Sequence, residues 1–252
     1  MSALVFQLYG PLVSWGEIAV GEERPSAAHP GRGALLGLLG AALGIDRRDD
    51  VGQRELAAAM TFGIEVRTAG LPFWDFHTAQ TATRAAIRRA PEGVRNRAEL
   101  LALDDVKTIL SKREYRCDAF CRVVAVSRDS AGPFSAEVLA TALAAPKFPL
   151  YLGRRSCALG LPLDAKAVQA DTFEGALAAA PPRDYARGVL AALRPTQTIC
   201  YWEADMRTAL APERTFTRRD EPVSRRQWLF TTRREHQRVG PAHAPLAAGK
   251  ET

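Results

Sequence analysis

The order of strand-like and helix-like segments constrains the fold of this chain more than any other feature of its sequence. Segments in the first 164 residues alternate as strand, helix, strand, strand, helix, strand. They cover residues 3–9, 33–44, 61–68, 116–128, 135–145 and 151–163, the last of which is a glycine-bearing loop that runs into a strand. This order is the ferredoxin-like pattern, an antiparallel sheet with two helices on one face. We therefore expect an α+β fold of a kind that RNA-binding modules use, with RNA on the open face or the edges of the sheet.

Two regions depart from this simple order. Residues 69–115 have mixed polarity, with arginine throughout and with proline and glycine interruptions, so we expect an insertion that projects from the core between the middle strands. Residues 165–238 follow without a clean linker, and we expect them to form a β region appended to residues 1–164. Residues 239–252 have the composition of a flexible tail. The elements expected in the appended region are helices near 172–180 and 185–193 and strands at 196–204 and 227–232.

The stretch HPGRGALLGLLGAALGI, residues 29–45, carries regularly spaced glycines in an apolar run. Its apolar part is 12 residues long, whereas a helix that spans a membrane needs about 20. It also lacks both glycine-rich nucleotide-binding fingerprints, because no Lys-Ser or Lys-Thr pair follows a glycine and no GxGxxG follows a strand. Gly33, Gly37, Gly40 and Gly44 share one helical face, which predicts a helix packed closely on another backbone, either a sheet or another chain.

The composition is that of a globular protein of 252 residues, with 47% hydrophobic and 25% charged residues. The N-terminal MSALVFQLYG lacks the basic start and long apolar core of a signal peptide, so we expect a cytoplasmic protein with no membrane partner. The cysteines form no CxxC motif and no histidine lies at metal-ligand spacing from them. We therefore expect free buried thiols, no metal and no cofactor. The cysteines are Cys117, Cys121, Cys157 and Cys200.

The formal net charge of +6 is unevenly distributed, and arginine outnumbers lysine 29 to 5. Residues 84–116 hold nine basic residues against five acidic ones, and residues 207–238 hold nine arginines against four acidic residues. Guanidinium groups pair bidentately with phosphate, so the two basic segments fit a polyanionic partner. They fit a solvated, arginine-rich surface equally well, and charge alone does not choose between the two.

Several sequence segments together resemble one known family. They are LYGPLVSWG at 8–16, PGRGALLGLLG at 30–40, DFHT at 75–78, KREYRCDA at 112–119, PLYLGRRSC at 149–157 and RRDEPV at 218–223. In this order they resemble the CasD family, the subunit of the type I-E CRISPR surveillance complex Cascade that holds the 5′ end of the guide RNA. The resemblance covers nearly the whole chain, and it is most specific in the leucine-glycine helix and the YLGRR block.

The resemblance implies a RAMP-superfamily protein, with a ferredoxin-like (RRM-like) core and a thumb inserted between its middle strands, about residues 69–115. It also implies a non-catalytic role in antiviral defence, in which the subunit grips the repeat-derived 5′ handle of the CRISPR RNA (crRNA) and caps the filament of backbone subunits. The implied partners are the crRNA, the adjacent backbone subunit and the large subunit that recognises the PAM, and through these the target DNA.

Candidate RNA-binding residues follow partly from this resemblance and partly from local charge. Arg154 and Arg155 follow Gly153, where the backbone can approach RNA while two guanidinium groups reach its phosphates. Arg24 and Arg32 flank the start of the glycine-bearing helix, whose free N–H groups favour an anion.

Trp15 lies in a loop rich in glycine and proline and is a candidate for stacking on a base, although a tryptophan there also fits core packing. The implied thumb supplies the remaining candidates, two on its first arm for hydrogen bonds to a base or ribose and three basic residues on its returning arm. They are His77, Thr78, Lys112, Arg113 and Arg116.

Two other functions stay open at this point. A related subunit of the type I-C branch cuts precursor crRNA without a metal, using tyrosine, lysine and histidine. His77, Lys112 and Tyr115 are the residue types that general acid–base activation of a ribose 2′-hydroxyl needs, and they lie at the two ends of the implied thumb. Alternatively, the chain contacts mainly protein, in which case its affinity for handle RNA responds little to ionic strength.

Overall fold

Long β-strands and short helices alternate in the computed structural model, which describes residues 1–90, 93–224, 227 and 229–241. The strands are β1 (Ser2–Val13), β2 (Trp15–Gly16), β3 (Glu23–Arg24), β4 (Ser26–Ala27), β5 (Met60–Thr68), β6 (Leu71–Ala82), β7 (Val106–Ser127), β8 (Lys166–Gln169), β9 (Gln197–Glu203), β10 (Arg214–Ser224) and β11 (Leu229–Pro241). The helices are α1 (Arg32–Leu43), α2 (Asp50–Ala59), α3 (Arg84–Arg89), α4 (Arg97–Leu101), α5 (Ala136–Ala144), α6 (Phe173–Ala179) and α7 (Asp184–Leu193). Among the described residues, no helix has the length and apolar character that crossing a membrane requires.

The main sheet is antiparallel along its path β10–β11–β9–β5–β7–β1–β8. The strand β7 has two roles, because its second half pairs with β1 and β5 while its first half pairs with β3 and β6. The C-terminal strands β9, β10 and β11 continue the same sheet beyond β5. The predicted combination of helices with an antiparallel sheet is confirmed.

One face of the sheet carries the main core beneath α1 and α5. Alternation along β1 directs Leu4, Phe6 and Leu8 to this face, where they join the buried leucines of both helices in one apolar cluster. On α1 these leucines include Leu35 and Leu39, which are almost fully buried. Burial of this apolar surface is the main force that holds the helices on the sheet.

Two of the four glycines of the α1 region have roles other than the predicted one. An added Cβ at Gly40 would lie 3.7 Å from Leu56 of α2, so this glycine is turned toward a neighbouring helix. Gly44 adopts φ +80°, a left-handed conformation that ends the helix. At Gly40 and Gly44 the expected close packing of α1 on another backbone is therefore wrong, and the leucine side chains of α1 join the apolar cluster on the sheet.

The opposite face of the sheet is covered by α6 and α7. Phe173 of α6 is fully buried against Gly63 of β5, where an added Cβ would lie 2.6 Å from the phenylalanine ring. Arg122 of β7 is buried beneath the end of α6 and donates hydrogen bonds to the carbonyl oxygens of Leu177 and Ala180, at 2.7 and 2.5 Å. Because these helices cover it, this part of the sheet does not offer the open face on which many RNA-binding modules stack bases.

Three sequence predictions differ from the structure. Residues 151–163, predicted as a glycine-bearing loop that runs into a strand, form a loop throughout, in which Leu152 and Cys157 are buried, and the strand that pairs with β1 is β8 instead. The strand β10 has no counterpart in the prediction, because its sequence is polar and rich in arginine. Residues 239–241 belong to β11 rather than to the predicted tail, and residues 242–252 lie outside the described residues.

Residues 69–115, where an excursion was expected, form a long antiparallel hairpin with α3 and α4 at its far end. All twelve residues of β6 pair in continuous register with residues 106–117 of β7, and we call this unit the β6–β7 hairpin. A tight turn at Gly70 starts it, with φ +73° and an added Cβ only 2.5 Å from the Cys117 carbonyl oxygen. Because β7 continues into the sheet, the hairpin extends the strands of the sheet away from the core.

Arg32, at the start of α1, ties the core helices to the C-terminal strands. Its side chain is only 5% exposed, with Nη1 lying 2.6 Å from Glu203 of β9 and Nε 2.6 Å from Glu221 of β10. Its Nη2 donates hydrogen bonds to the carbonyl oxygens of Ala57 and Met60, at 2.6 and 3.1 Å. Protein acceptors therefore occupy this guanidinium, and Arg32 is not placed to contact RNA.

A second arginine, Arg233 of β11, continues this buried network. It forms a bidentate pair with Asp220, at 2.7 and 2.9 Å, and lies 2.7 Å from Glu235. His29 lies 3.3 Å from the same Glu235 carboxylate. Burial would raise the pKa of Glu235, but the close approach of His29 and the charge of Arg233 outweigh burial and hold the pKa at about 2. The C-terminal strands are thus attached to the core by ion pairs as well as by strand pairing.

We expect Arg32→Met to lower the free energy of unfolding by about 3–5 kcal/mol, because the change leaves Glu221 without its cation and leaves Glu203 with only Arg233, at 3.8 Å. Chemical denaturation followed by circular dichroism measures the difference. The control is Arg24→Met at an exposed arginine, which we expect to change the free energy of unfolding by at most about 0.5 kcal/mol. Equal stability of the two variants would show that Arg32 does not hold this network together.

Candidate nucleic-acid interface

The β6–β7 hairpin presents two different faces, because side chains alternate along each strand and directly opposed residues share a face. The first, which we call the arginine face, carries Phe73, Asp75 and His77 opposite Tyr115, Arg113 and Ser111. The second, which we call the tryptophan face, carries Trp74, Phe76 and Thr78 opposite Glu114, Lys112 and Leu110. The register therefore divides the predicted site residues of the hairpin between two surfaces.

The loop that carries Arg154 is fixed by its neighbours. The amide of Leu152 donates to the carbonyl of Cys157 at 2.8 Å, and the amide of Ser14 donates to the carbonyl of Leu152 at 3.1 Å. Gly153 adopts φ +89°, and an added Cβ would lie 1.8 Å from the Ser14 carbonyl oxygen, so only glycine fits. The close approach that this glycine permits is to the protein's own backbone, and its effect is to hold Arg154 in place.

Arg154 lies across the arginine face. The central carbon of its guanidinium is 4.7 Å from the centre of the Tyr115 ring, a cation–π contact, and Nη2 donates to the Arg24 carbonyl at 3.3 Å. The short strand β3 runs parallel to β7 and places Arg24 beside Arg113. Three arginines from distant segments therefore meet at this face, and we call Arg24, Arg113 and Arg154 the arginine cluster.

The positive charge of the cluster is not neutralised by carboxylates. Within the part of the chain that the structure describes, none of the three arginines forms an ion pair, and Arg154 Nη1 has no hydrogen-bond acceptor. Arg24 and Arg113 donate to backbone carbonyls and a serine hydroxyl. Asp75, which shares the face, lies 2.7 Å from His77. An anion with several oxygen atoms is the ligand that suits such a group of guanidinium donors.

Lys112, Arg116 and Thr78 lie on the tryptophan face, away from the cluster. Lys112 Nζ is 3.6 Å from Glu23 and 4.5 Å from the centre of the Trp74 ring. Arg116 donates to two backbone carbonyls at the base of the hairpin, so its contacts are structural. Thr78 is exposed. The structure does not bring these three residues together with the arginine cluster.

Of the other predicted residues, one is accessible and one is not. Trp15 is 3% exposed and belongs to the main apolar cluster, so its ring is not available to stack on a base. Arg155 is exposed next to Arg154 and extends the positive surface of that loop. Among the described residues, no group of three or more histidine, cysteine, aspartate or glutamate side chains is placed to hold a metal ion.

The three residues of the nuclease hypothesis are not assembled into one site. His77 lies opposite Ser111, and Tyr115 is four residues further along β7, which is about 13 Å of strand rise. Lys112 lies on the other face of the hairpin, and Tyr115 is buried beneath Arg154. General acid–base catalysis needs its groups within hydrogen-bond reach of one reacting hydroxyl, and this arrangement does not provide that.

Sequence reasoning missed the exposed aromatic side chains of the hairpin. Phe73, Trp74 and Phe76 are all exposed, and Phe76 is 70% accessible. Their signal is the run LPFWDFHTAQTA at 71–82, which is rich in residues that favour strands. The run was not recognised as a strand because residues 69–115 were judged together, as one region of mixed polarity with many arginines.

Comparison with known proteins gives concordant matches. A family model described as CRISPR-associated protein (Cas_Cas5) matches residues 3–236. The CRISPR system Cascade subunit CasD of Escherichia coli (strain K12) is 33% identical over 186 residues, which are 70% of this chain and 75% of that protein. The resemblance to CasD read from the sequence is confirmed.

Two solved structures have a similar fold. A chain of a CRISPR RNA-guided surveillance complex aligns with a TM-score of 0.65 and 24% identity, over 98% of this chain and 94% of that one. A structure described as a Cas protein aligns with a TM-score of 0.56 and 24% identity, over 95% of each chain. Since the family model spans nearly the whole sequence, this chain belongs to the CRISPR-associated protein (Cas_Cas5) family.

Proposed function

We propose that this chain is a non-catalytic RNA-binding subunit of a type I-E CRISPR surveillance complex, and that its arginine face grips the 5′ handle of the crRNA. The CasD relative is named as a Cascade subunit, and one similar structure is an RNA-guided surveillance complex. The observation that carries the proposal is the convergence of Arg24, Arg113 and Arg154 on one face of a hairpin that projects from the core.

The arginine face has the chemistry that a single RNA strand requires. A guanidinium group binds two phosphate oxygens at once, and the Tyr115 ring packs against the guanidinium of Arg154, so less side-chain freedom is lost on binding. Phe73 is exposed beside Tyr115, with 6.5 Å between ring centres, and offers a surface on which a base can stack. His77 lies further along the same face, where it can hydrogen-bond a base or a ribose.

We assign the parts of the fold to this function as follows. The strands β8, β1, β7 and β5 with helices α1 and α5 form a ferredoxin-like RAMP core, and the β6–β7 hairpin with α3 and α4 is its thumb. The boundary of this core, expected at 164, moves to Gln169 because β8 supplies its fourth strand. The region from there to the end of β11 at Pro241 is the appended β region, whose strands extend the sheet beyond β5.

The tryptophan face suits a protein neighbour. Phe76 and Leu110 are exposed apolar side chains beside Trp74, and they share their face with the charged side chain of Lys112. Aromatic residues with a polar surround are typical of protein interfaces. We assign this face to the adjacent backbone subunit of the complex. The likeness to CasD extends the proposal to the large PAM-recognising subunit and, through it, to target DNA.

We expect Arg113→Gln/Arg154→Gln to weaken the binding of handle RNA by at least about 10-fold, because each charge-assisted hydrogen bond contributes about 1.5–3 kcal/mol. The dependence of affinity on salt should fall too, by about 0.7 in the log–log slope for each phosphate that no longer has an arginine partner. Fluorescence anisotropy of a labelled handle RNA at several salt concentrations measures both quantities.

The matched control is Arg48→Gln/Arg54→Gln, which removes two exposed arginines from α2 and the turn before it. Circular dichroism establishes that both variants fold. If both variants bind handle RNA equally well, or if affinity does not depend on salt, the subunit contacts mainly protein and the assignment of the arginine face is wrong.

We expect the purified protein to leave labelled repeat RNA intact in the presence of EDTA, because Lys112 does not share a face with His77 and Tyr115. Denaturing gel electrophoresis over a time course is the measurement. Specific cleavage that disappears in His77→Ala, and persists in the exposed control Thr78→Ala, would contradict the non-catalytic assignment.

A further inference from the structure

The second basic segment, residues 207–238, is not part of the proposed handle site. The pairing of β10 with β11 places the charged side chains of these strands on two different faces. Arg218 and Arg233 are directly opposed, so they share a face of the two strands. Both pair with carboxylates there: Arg233 with Asp220 and Glu235 at 2.7 Å, and Arg218 with Glu235 at 3.5 Å. We call this face the helix side, because its network includes the first residue of α1.

Three of the four acidic residues of the segment are engaged on the helix side. Asp220 and Glu235 lie in the network on the helix side, and Glu221 pairs there with Arg32. The fourth acidic residue, Glu213, accepts a hydrogen bond from the Val239 amide. Three of the four carboxylates of the segment are therefore used by the fold on one side of the strands.

The opposite side of the same strands, which we call the outer strand face, keeps its positive charge. Thr217 is directly opposed to Arg234, and Thr215 to His236. Arg219 lies at a register shift between Arg218 and Glu221, and its two neighbours Arg218 and Asp220 pair on the helix side, so we place Arg219 on the outer strand face. Arg219 and Arg234 are exposed and, as far as the structure describes the chain, neither forms an ion pair. The threonine hydroxyls are exposed beside them, with Thr215 Oγ1 2.9 Å from His236 Nδ1.

We propose that the outer strand face binds the phosphate backbone of a nucleic-acid duplex. Guanidinium and hydroxyl groups are the side-chain donors that contact phosphate oxygens most often, and Arg219, Arg234, Thr215 and Thr217 supply both kinds. Such contacts carry no sequence information, so binding at this face is insensitive to sequence and falls steeply with salt.

The composition of the face favours a duplex over other partners. Between 215 and 219 on β10 and 232 and 236 on β11, the outer strand face carries no phenylalanine, tyrosine or tryptophan, whereas sites for single strands stack bases on such rings. A protein interface has an apolar centre, and this stretch of arginine, threonine and histidine has none. The proposal does not depend on the handle site, since its residues lie on β10 and β11 and not on the β6–β7 hairpin.

The test uses the full chain with Arg219→Gln/Arg234→Gln. Anisotropy titrations with a short DNA duplex, and with an RNA duplex of the same sequence, are made at several salt concentrations. We expect the Kd to rise at least about 10-fold and the log–log salt slope to fall by about 2, since two phosphates no longer have an arginine partner. Arg219→Lys/Arg234→Lys keeps both charges and should retain most of the affinity.

The Arg48→Gln/Arg54→Gln control should bind both duplexes as the unaltered protein does. Weakening of the DNA duplex alone assigns the face to DNA, and weakening of both assigns it to duplexes of either kind. If Arg219→Gln/Arg234→Gln binds like the control, or if the unaltered protein binds neither duplex at low salt, the proposal is wrong and an acidic protein surface is the better partner.

Handle RNA is titrated in parallel to keep the two sites distinct. The outer-face variant should bind handle RNA with unchanged affinity, and Arg113→Gln/Arg154→Gln should bind the duplexes with unchanged affinity. Failure of the handle site and failure of the duplex site therefore give different results.

Discussion

The uninterrupted course of β7 determines both the core and the surface of this molecule. Its second half is held in the sheet by β1 and β5, and its first half forms one arm of the hairpin. Because side chains alternate along a strand, the register that buries Val123 and Cys121 also puts Tyr115 and Arg113 on one face of the hairpin and Lys112 on the other. A slip of one residue would exchange the two faces, so core packing specifies the surface that we assign to RNA.

The same alternation explains how an arginine-rich chain uses its charge in two ways. In the hairpin, Arg116 turns to backbone carbonyls while Arg113 stays in the uncompensated cluster. In the C-terminal strands, Arg233 turns into a buried carboxylate network while its neighbour Arg234 is exposed without an ion pair among the described residues. Each basic segment therefore stabilises the fold with part of its charge and leaves the rest without an ion pair among the described residues. The uncompensated arginines are the ones that we propose as contacts to nucleic acid.

The elements that could be predicted from sequence are those whose pattern is local. The apolar runs at 3–9, 61–68 and 116–128 are strands in the structure, and the leucine-rich segment is helix α1. The hairpin arms and β10 were not recognised, because their sequences are of mixed polarity or rich in arginine and lack the regular apolar–polar alternation of a half-buried strand. Residue type also does not reveal burial: Trp15 and Arg32 were sensible candidates for RNA, and their burial depends on segments far along the chain.

The candidate site itself was only partly accessible to sequence reasoning. Arg24, Arg113 and Arg154 were each selected from local charge or from likeness to CasD. Their grouping was not, because Arg24 and Arg154 are 130 residues apart and are joined only by the parallel pairing of β3 with β7 and by the fixed loop at Gly153. The platform under Arg154 was likewise missed, since Tyr115 was considered only as a catalytic residue.

The most direct measurement is photo-cross-linking in the assembled surveillance complex, with a photoreactive nucleotide in the 5′ handle of the guide RNA and mass spectrometry of the cross-linked peptides. We expect the cross-links in this subunit to fall on residues 71–82 and 106–117 of the hairpin and on the loop at 151–157. Cross-links confined to the helices that cover the sheet, or absent from this subunit, would contradict the claim that the arginine face holds the guide RNA.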